Sequence, residues 1–251
     1  MRRTVINRGF FMLTRQFPHV VLLPGLANDA RLWQHQSAGL ADIAHFRIGD
    51  LTTADTMTAM AASVLENAPV EQFVLAGMSM GGYVALEIMR QAPERILGLA
   101  LLDTSARPDT PTALENRRAA IERAEVDFQA VINELMAKQL HPSHLDDLYL
   151  VDLVNDMALS LGKHTFIRQQ KAMSNRIDSL PFLPLIKCPT LVICGRDDAI
   201  TPLGVHQEMV SAIAGAGLVI IDDCGHLSPL EQPMAVNDAL SQWLGTIELK
   251  A

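Results

Sequence analysis

The 251-residue chain is poor in cysteine, in aromatic residues and in basic charge, and it has no long apolar run. Each shortage removes a class of protein. Cys188, Cys194 and Cys224 are the only cysteines, and they form neither an even disulfide framework nor a C-x-x-C pair. Cys194 sits in a strand-like run, and Cys224, two residues from His226, is expected to pack as a small hydrophobe. Although 49% of the residues are apolar, no stretch approaches the roughly 18 needed to cross a bilayer. Met1-Arg2-Arg3-Thr4 is basic, yet the apolar patch Phe10-Phe11-Met12-Leu13 is too short for a secretory h-region. The expectation is a cytoplasmic protein with no membrane partner, and Met12 is an alternative natural start. With 20 basic residues against 28 acidic ones, the formal charge is −8, which argues against a nucleic-acid footprint. No P-loop, G-x-G-x-x-G or H-E-x-x-H motif occurs, so no nucleotide cofactor and no metal is expected. His141 and His144 have the spacing of one helix face but read as polar surface residues.

What the chain does have is alternation. Val20-Val21-Leu22-Leu23, Gln72-Phe73-Val74-Leu75-Ala76, Leu99-Ala100-Leu101-Leu102, Thr190-Leu191-Val192-Ile193-Cys194 and Leu218-Val219-Ile220-Ile221 are short, bounded apolar runs, as buried parallel strands are. Helical patterns separate them from Val20 to about Asp103 and again from Thr190 to Leu244, which implies a parallel sheet with helices on both faces. Asn28-Asp29 can cap a helix over 30–40, Thr53 or Asp55 one over 57–67, and Pro229 or Pro233 opens the last. From about 104 to 185 no strand-like run appears. Helical stretches near 112–125, 127–139, 145–161 and 163–175 are punctuated there by Pro108, Pro111, Pro142, Gly162 and Pro181.

Gly77-Met78-Ser79-Met80-Gly81 lies between the second of these strands and a helical run that ends before Pro93. A G-x-S-x-G pentapeptide in that setting is a nucleophile elbow. The serine is held in a strained conformation, and the small residues two before and two after it let strand and helix pass closely. Its hydroxyl is thereby presented at the mouth of a helix whose N–H groups face a developing anion. A serine needs a base, and the base needs an orienting acid. The turn Gly195-Arg196-Asp197-Asp198-Ala199-Ile200-Thr201-Pro202 comes after one later strand, and Asp222-Asp223-Cys224-Gly225-His226 after the next. Serine, acid and histidine thus each fall just beyond a strand, where open parallel sheets bind ligands. Asp197, Asp198 and Asp103 all remain possible acids on spacing alone.

This constellation resembles the α/β-hydrolase superfamily over nearly the whole chain. The resemblance implies an α/β-hydrolase fold, a mostly parallel doubly wound sheet with a helical cap inserted after the sixth strand of the family scheme. Residues 1–103 and 186–251 would form the core and 104–185 the cap. Too little precedes Val20 for the two leading strands common in the family, which are expected to be reduced or missing. The family's acid stands third after the turn glycine with proline four further on, which selects Asp198 over Asp197 and Asp103; its histidine comes directly after a glycine, as His226 does. The catalytic set implied is Ser79, Asp198 and His226. The oxyanion donors would be the backbone N–H groups of Met80 and Leu26. Pro24-Gly25-Leu26 stands where many members have His-Gly-x, so Pro24 is a departure. Gly25 and Met78 are expected to bind substrate, Met80 to offer a thioether to the acyl chain, and Met136, Leu140, Tyr149, Leu153, Met157 and Phe166 to line the pocket from the cap. The activity implied is that of a carboxylesterase-like serine hydrolase on a small ester, lactone or related acyl compound, with no cofactor and the oligomeric state open. The Ser79-Met80-Gly81-Gly82 and Gly195–Asp198 strings are also similar to carbon–carbon hydrolases and enol-lactonases, and a perhydrolase side activity occurs in such folds. A non-catalytic receptor on the same scaffold is the alternative of another kind.

Overall fold

The computed structural model describes residues 16–249. The expected loss of two leading strands falls on residues outside that range. Six strands are found: β1 (His19–Leu23), β2 (His45–Ile48), β3 (Phe73–Met78), β4 (Ile96–Leu102), β5 (Thr190–Gly195) and β6 (Gly217–Ile221). All pair in parallel, in the order β2-β1-β3-β4-β5-β6. The central strands are buried on both faces, which explains their near-continuous apolar sequence. β2 is half exposed, as an edge strand can be, and its short His45-Phe46-Arg47-Ile48 run carries little strand signal.

Alternate side chains divide the core into two layers. Val21, Leu23, Leu75, Leu99 and Val192 face one way, onto α2 (Met57–Glu66), α3 (Met80–Gln91) and α7 (Leu203–Ala212). Val20, Leu22, Val74, Ala100 and Ile193 face the other, onto Leu32, Trp33 and Leu40, which flank α1 (Gln34–Gly39), and onto α9 (Pro233–Leu244). The short α8 (Ser228–Glu231) immediately precedes α9. Two helix starts differ from the capping signals in the sequence. Asp29 caps a single 3₁₀ turn at Ala30–Trp33 before α1 begins, and Thr56, rather than Thr53 or Asp55, caps α2 by accepting from the Ala59 N–H.

Between β4 and β5 the chain forms α4 (Pro111–Val126), α5 (Phe128–Gln139) and α6 (Leu148–Ser174), with no strand. Thr110, Asp127 and Asp147 cap these helices through their side chains. Gly162, at φ +77°, breaks α6 into the two segments its sequence anticipated. Strand register aligns the ends of the sheet. Leu23 pairs with Gly77, Met78 with Leu102, Leu102 with Ile193, and Gly195 with Ile221, so the loops after these strands open along one rim beneath the helical insert.

Candidate active site

Ser79 ends β3 and starts α3 with φ +52° and ψ −116°, a strained backbone for a residue with a Cβ. The close approach that the flanking glycines permit is real. A Cβ on Gly77 would lie 2.3 Å from the Gly81 carbonyl oxygen, and one on Gly81 would lie 2.2 Å from that of Leu23. The elbow is held by the Ser79 N–H donating to the Leu102 carbonyl at 2.9 Å and by Thr104 Oγ1 donating to the Ser79 carbonyl at 2.7 Å.

Across the rim, His226 Nε2 lies 2.8 Å from Ser79 Oγ, and His226 Nδ1 lies 2.7 Å from Asp198 Oδ2. Ser79, Asp198 and His226 are 8%, 4% and 1% exposed. Asp198 is itself oriented by its own turn. Its Oδ1 accepts from the N–H groups of Ile200 and Thr201, and its Oδ2 from the Thr201 hydroxyl. Burial opposes its charge, but the His226 charge and these donors prevail and hold its pKa down at about 2. Burial likewise opposes a charged His226, yet the Asp198 carboxylate, with smaller help from Asp103 and Glu231, raises its pKa above 6.5.

The other two aspartates separate cleanly. Asp197 is half exposed, with His141 Nε2 3.5 Å from its carboxylate. Asp103 is fully buried, but its oxygens accept from the Gly195 N–H and from the N–H and hydroxyl of Ser228, and it makes no bond to His226. Burial, and then the Asp198 charge, push its pKa up to about 8 against those donors. It serves as a brace between β4, β5 and α8.

Three supports were not evident in the sequence. Glu231 Oε1 accepts from Gly225 N–H and Leu227 N–H, on either side of His226, while Oε2 accepts from His141 N–H and lies 2.8 Å from His144 Nδ1. His141 and His144 are thus not merely surface residues: they join the insert to the histidine loop. The His226 N–H completes the join by donating to the Gln139 carbonyl at 2.7 Å. His206 is buried and accepts from the Thr104 N–H through Nε2; burial lowers its pKa to about 4. Gln169 of α6 accepts from the Ala27 N–H and donates to the Leu51 carbonyl, fixing the loop after β1, where Ala27 has φ +57°. The last four residues of the acid's turn offered a clue, since Thr201 is placed to bond Asp198. Glu231 and His206 offered none, because Thr104 is distant in sequence from His206 and the insert partners His141 and His144 are distant from Glu231.

A cavity of about 240 Å³ opens over Ser79 and His226, with Leu26 and Tyr83 also on its floor. Neither the Leu26 N–H nor the Met80 N–H donates to a protein acceptor among the described residues. Leu135 and Met173 supply apolar roof, and Arg117, Gln139 and Gln170 supply polar roof. None of the six expected cap residues lines this cavity. Met157 and Phe166 are buried in the core, Phe166 against Phe128; Leu140 is buried with the histidine-side core; Met136 and Leu153 pack half-buried on it; Tyr149 is 69% exposed. Met78 and Met80 are fully buried among core side chains and do not reach the cavity. Gly25 is also outside the lining, and a Cβ there would meet Asn28 Oδ1 at 2.7 Å and the Met78 thioether at 2.9 Å. Cys224 is buried, and burial raises its thiol pKa, as burial raises that of Cys194 to about 12. Among the described residues, no group of three or more His, Cys, Asp or Glu is arranged to hold a metal ion. No helix among them is long and apolar enough to cross a membrane.

A parallel sheet carrying a serine elbow, with histidine and aspartate beyond later strands, defines a hydrolase fold. The chain belongs to the alpha/beta hydrolase family, whose model matches residues 20–239. It is similar in structure to a thermophilic esterase from Thermogutta terrifontis, with a TM-score of 0.85 and 33% identity over 92% of this chain and 91% of that one. It is also 26% identical to a pimeloyl-[acyl-carrier protein] methyl ester esterase of Nitrosomonas europaea, over 89% of this chain and 95% of the relative. The fold is shared as well with an enol-lactonase from Burkholderia xenovorans LB400, at a TM-score of 0.82 and 23% identity over 92% of each chain.

Proposed function

We propose that this protein is a serine hydrolase that cleaves a small carboxylic ester, lactone or related acyl compound through an acyl-enzyme. The observation that carries the reading is the unbroken hydrogen-bonded line from Ser79 Oγ through His226 to Asp198. Ser79 Oγ adds to the carbonyl carbon as its proton passes to His226 Nε2. Asp198 holds the imidazole with Nδ1–H toward itself and stabilises the imidazolium. The oxyanion is met by the Leu26 and Met80 N–H groups, each contributing about 3 kcal/mol to the lowered barrier. Collapse breaks the bond to the leaving oxygen, which takes the proton from His226. Water then attacks the acyl-serine, its proton passing to His226 and on to Ser79 Oγ, and the carboxylic acid leaves.

Leu26, positioned through the Gln169 bond to its neighbour Ala27, supports the second donor despite the Pro24 departure. A cavity of about 240 Å³ is below the usual range for drug-sized ligands, which favours a short acyl chain. The esterase relatives favour ester hydrolysis over the enol-lactonase and carbon–carbon alternatives. The test is Ser79→Ala, which abolishes p-nitrophenyl butyrate hydrolysis and fluorophosphonate labelling while the circular dichroism spectrum stays native. A folded variant that keeps the wild-type rate refutes the assignment. Turnover of a dienoate ring-fission product alone, in a panel with short esters and lactones, moves the reading to carbon–carbon cleavage.

A further inference from the structure

Each helix of the insert lines the cavity over Ser79 with polar residues: Asn116 and Arg117 from α4, Gln139 from α5 and Gln170 from α6. Gln139 and Gln170 are 4% and 5% exposed, so these are not solvated surface groups. The Gln139 carboxamide has no hydrogen-bond partner among the described residues, and the Gln170 amide oxygen accepts from Arg117 Nη1 at 2.8 Å while its NH₂ has none. Arg117 donates Nε–H and one Nη2–H to the Asp109 carboxylate, which leaves one N–H on each terminal nitrogen unassigned. Neither amide is among the solvent-excluded polar groups without a partner, so these donors face the open cavity and are free to meet a ligand there.

The charge balance points the same way. Asp109 also pairs with Arg176 at 2.6 Å, and the Arg176 guanidinium lies 4.2 Å above the ring of Tyr83, a floor residue. Two guanidinium groups therefore share one carboxylate, leaving one positive charge of this cluster uncompensated. No aspartate or glutamate lines the cavity among the described residues. One surplus positive charge and free planar donors suit a monoanion with two oxygens rather than a doubly charged phosphate.

We infer that the acyl part of the substrate ends in a carboxylate, held by Arg117 with Gln170 and Gln139 while Ser79 attacks the ester at the other end. The substrate class is then the half-ester of a short dicarboxylic acid, or a lactone carrying an acid arm. Asp109 and Arg176 fix the Arg117 fork so that little side-chain freedom is lost on binding. This inference rests on the hydrolase reading above and deepens it.

The experiment compares kcat/KM for monomethyl glutarate and monomethyl adipate with that for methyl butanoate and methyl pentanoate, measured by pH-stat. The half-esters are expected to be preferred by about tenfold or more, through KM more than kcat, and the preference to shrink with added salt. Arg117→Met is expected to erase the ratio of half-ester to neutral ester within the same variant, and Arg117→Lys to restore part of it. Because Arg117→Met also releases Asp109, the salt dependence of the wild-type ratio serves as the measurement that needs no variant. Neutral esters cleaved as well as half-esters, with no salt effect on their ratio, overturn this inference and leave the hydrolase reading standing. No turnover of any ester overturns both.

Discussion

At the rim of the sheet, Ser79, Asp198 and His226 are nearly solvent-free; Ser79 and Asp198 are held by bonds to a neighbouring strand end and to their own turn, and His226 by Asp198 and the Gln139 carbonyl. Across the cavity, the insert reaches the same space through long side chains on three helices that pack on the core and on each other. The rim residues owe their positions to strand register and to contiguous turn chemistry. The roof residues owe theirs to the rotation of each helix about its axis. Where geometry is set by consecutive residues, small changes of sequence act on chemistry; where it is set by helix packing, they act first on stability and specificity.

The sharpest break in that comparison is at the rim. Asp198→Asn keeps the shape but favours the wrong tautomer of His226, and kcat falls by about 10⁴. The same change removes the charge that raises the His226 pKa, so the ascending limb of the kcat/KM–pH profile, above pH 6.5 in the native protein, moves to lower pH. An unchanged limb argues against Asp198 as the acid. In the insert, Met157 was expected to line the pocket but is wholly buried in the core. Met157→Ala therefore costs about 2–5 kcal/mol in chemical denaturation with little change in ester selectivity; a large selectivity change without destabilisation would restore it to the pocket.

His206 tests the frame behind the elbow. Its folded pKa of about 4 lies below the ordinary 6.5, so its contribution is present above pH 6.5 and is lost as the pH falls toward 4. Protonation also removes the lone pair that receives the Thr104 N–H. Stability is expected to drop by roughly 3 kcal/mol across that window on this account, and His206→Gln to remove the slope. Equal slopes in the two proteins would discard it. The smallest effect is at Tyr149, 69% exposed: Tyr149→Ser stays within about 0.5 kcal/mol of the parent and leaves ester turnover alone.

Much of the fold was legible because its signals are local. Apolar runs bounded by turns marked five of the six strands, and only the half-exposed β2, with polar His45 and Arg47, lacked such a run. Gly162 and the prolines marked the divisions of the insert. Ser79, Asp198 and His226 could be grouped because each lies just past a strand, although choosing Asp198 over Asp103 required a family pattern. The structure supplies the physical ground: one carboxylate bonds His226, and the other is spent bracing Ser228 and Gly195. Six cap residues were misplaced for a different reason. Helices that bury more than one face carry apolar residues on several sides, and periodicity does not say which side meets a cavity.

The amino-acid order alone determined the strand–serine–helix elbow, the acid turn and the histidine loop, because steric rules for glycine and the pairing of short apolar runs act between near neighbours. Folding in three dimensions decided that Asp103 braces Gly195 and Ser228 instead of bonding His226, that Glu231 ties the histidine loop to the insert, and that Arg117 with two glutamines roofs the cavity. Those outcomes depend on burial and charge summed over groups dozens of residues apart, which no single stretch of chain contains.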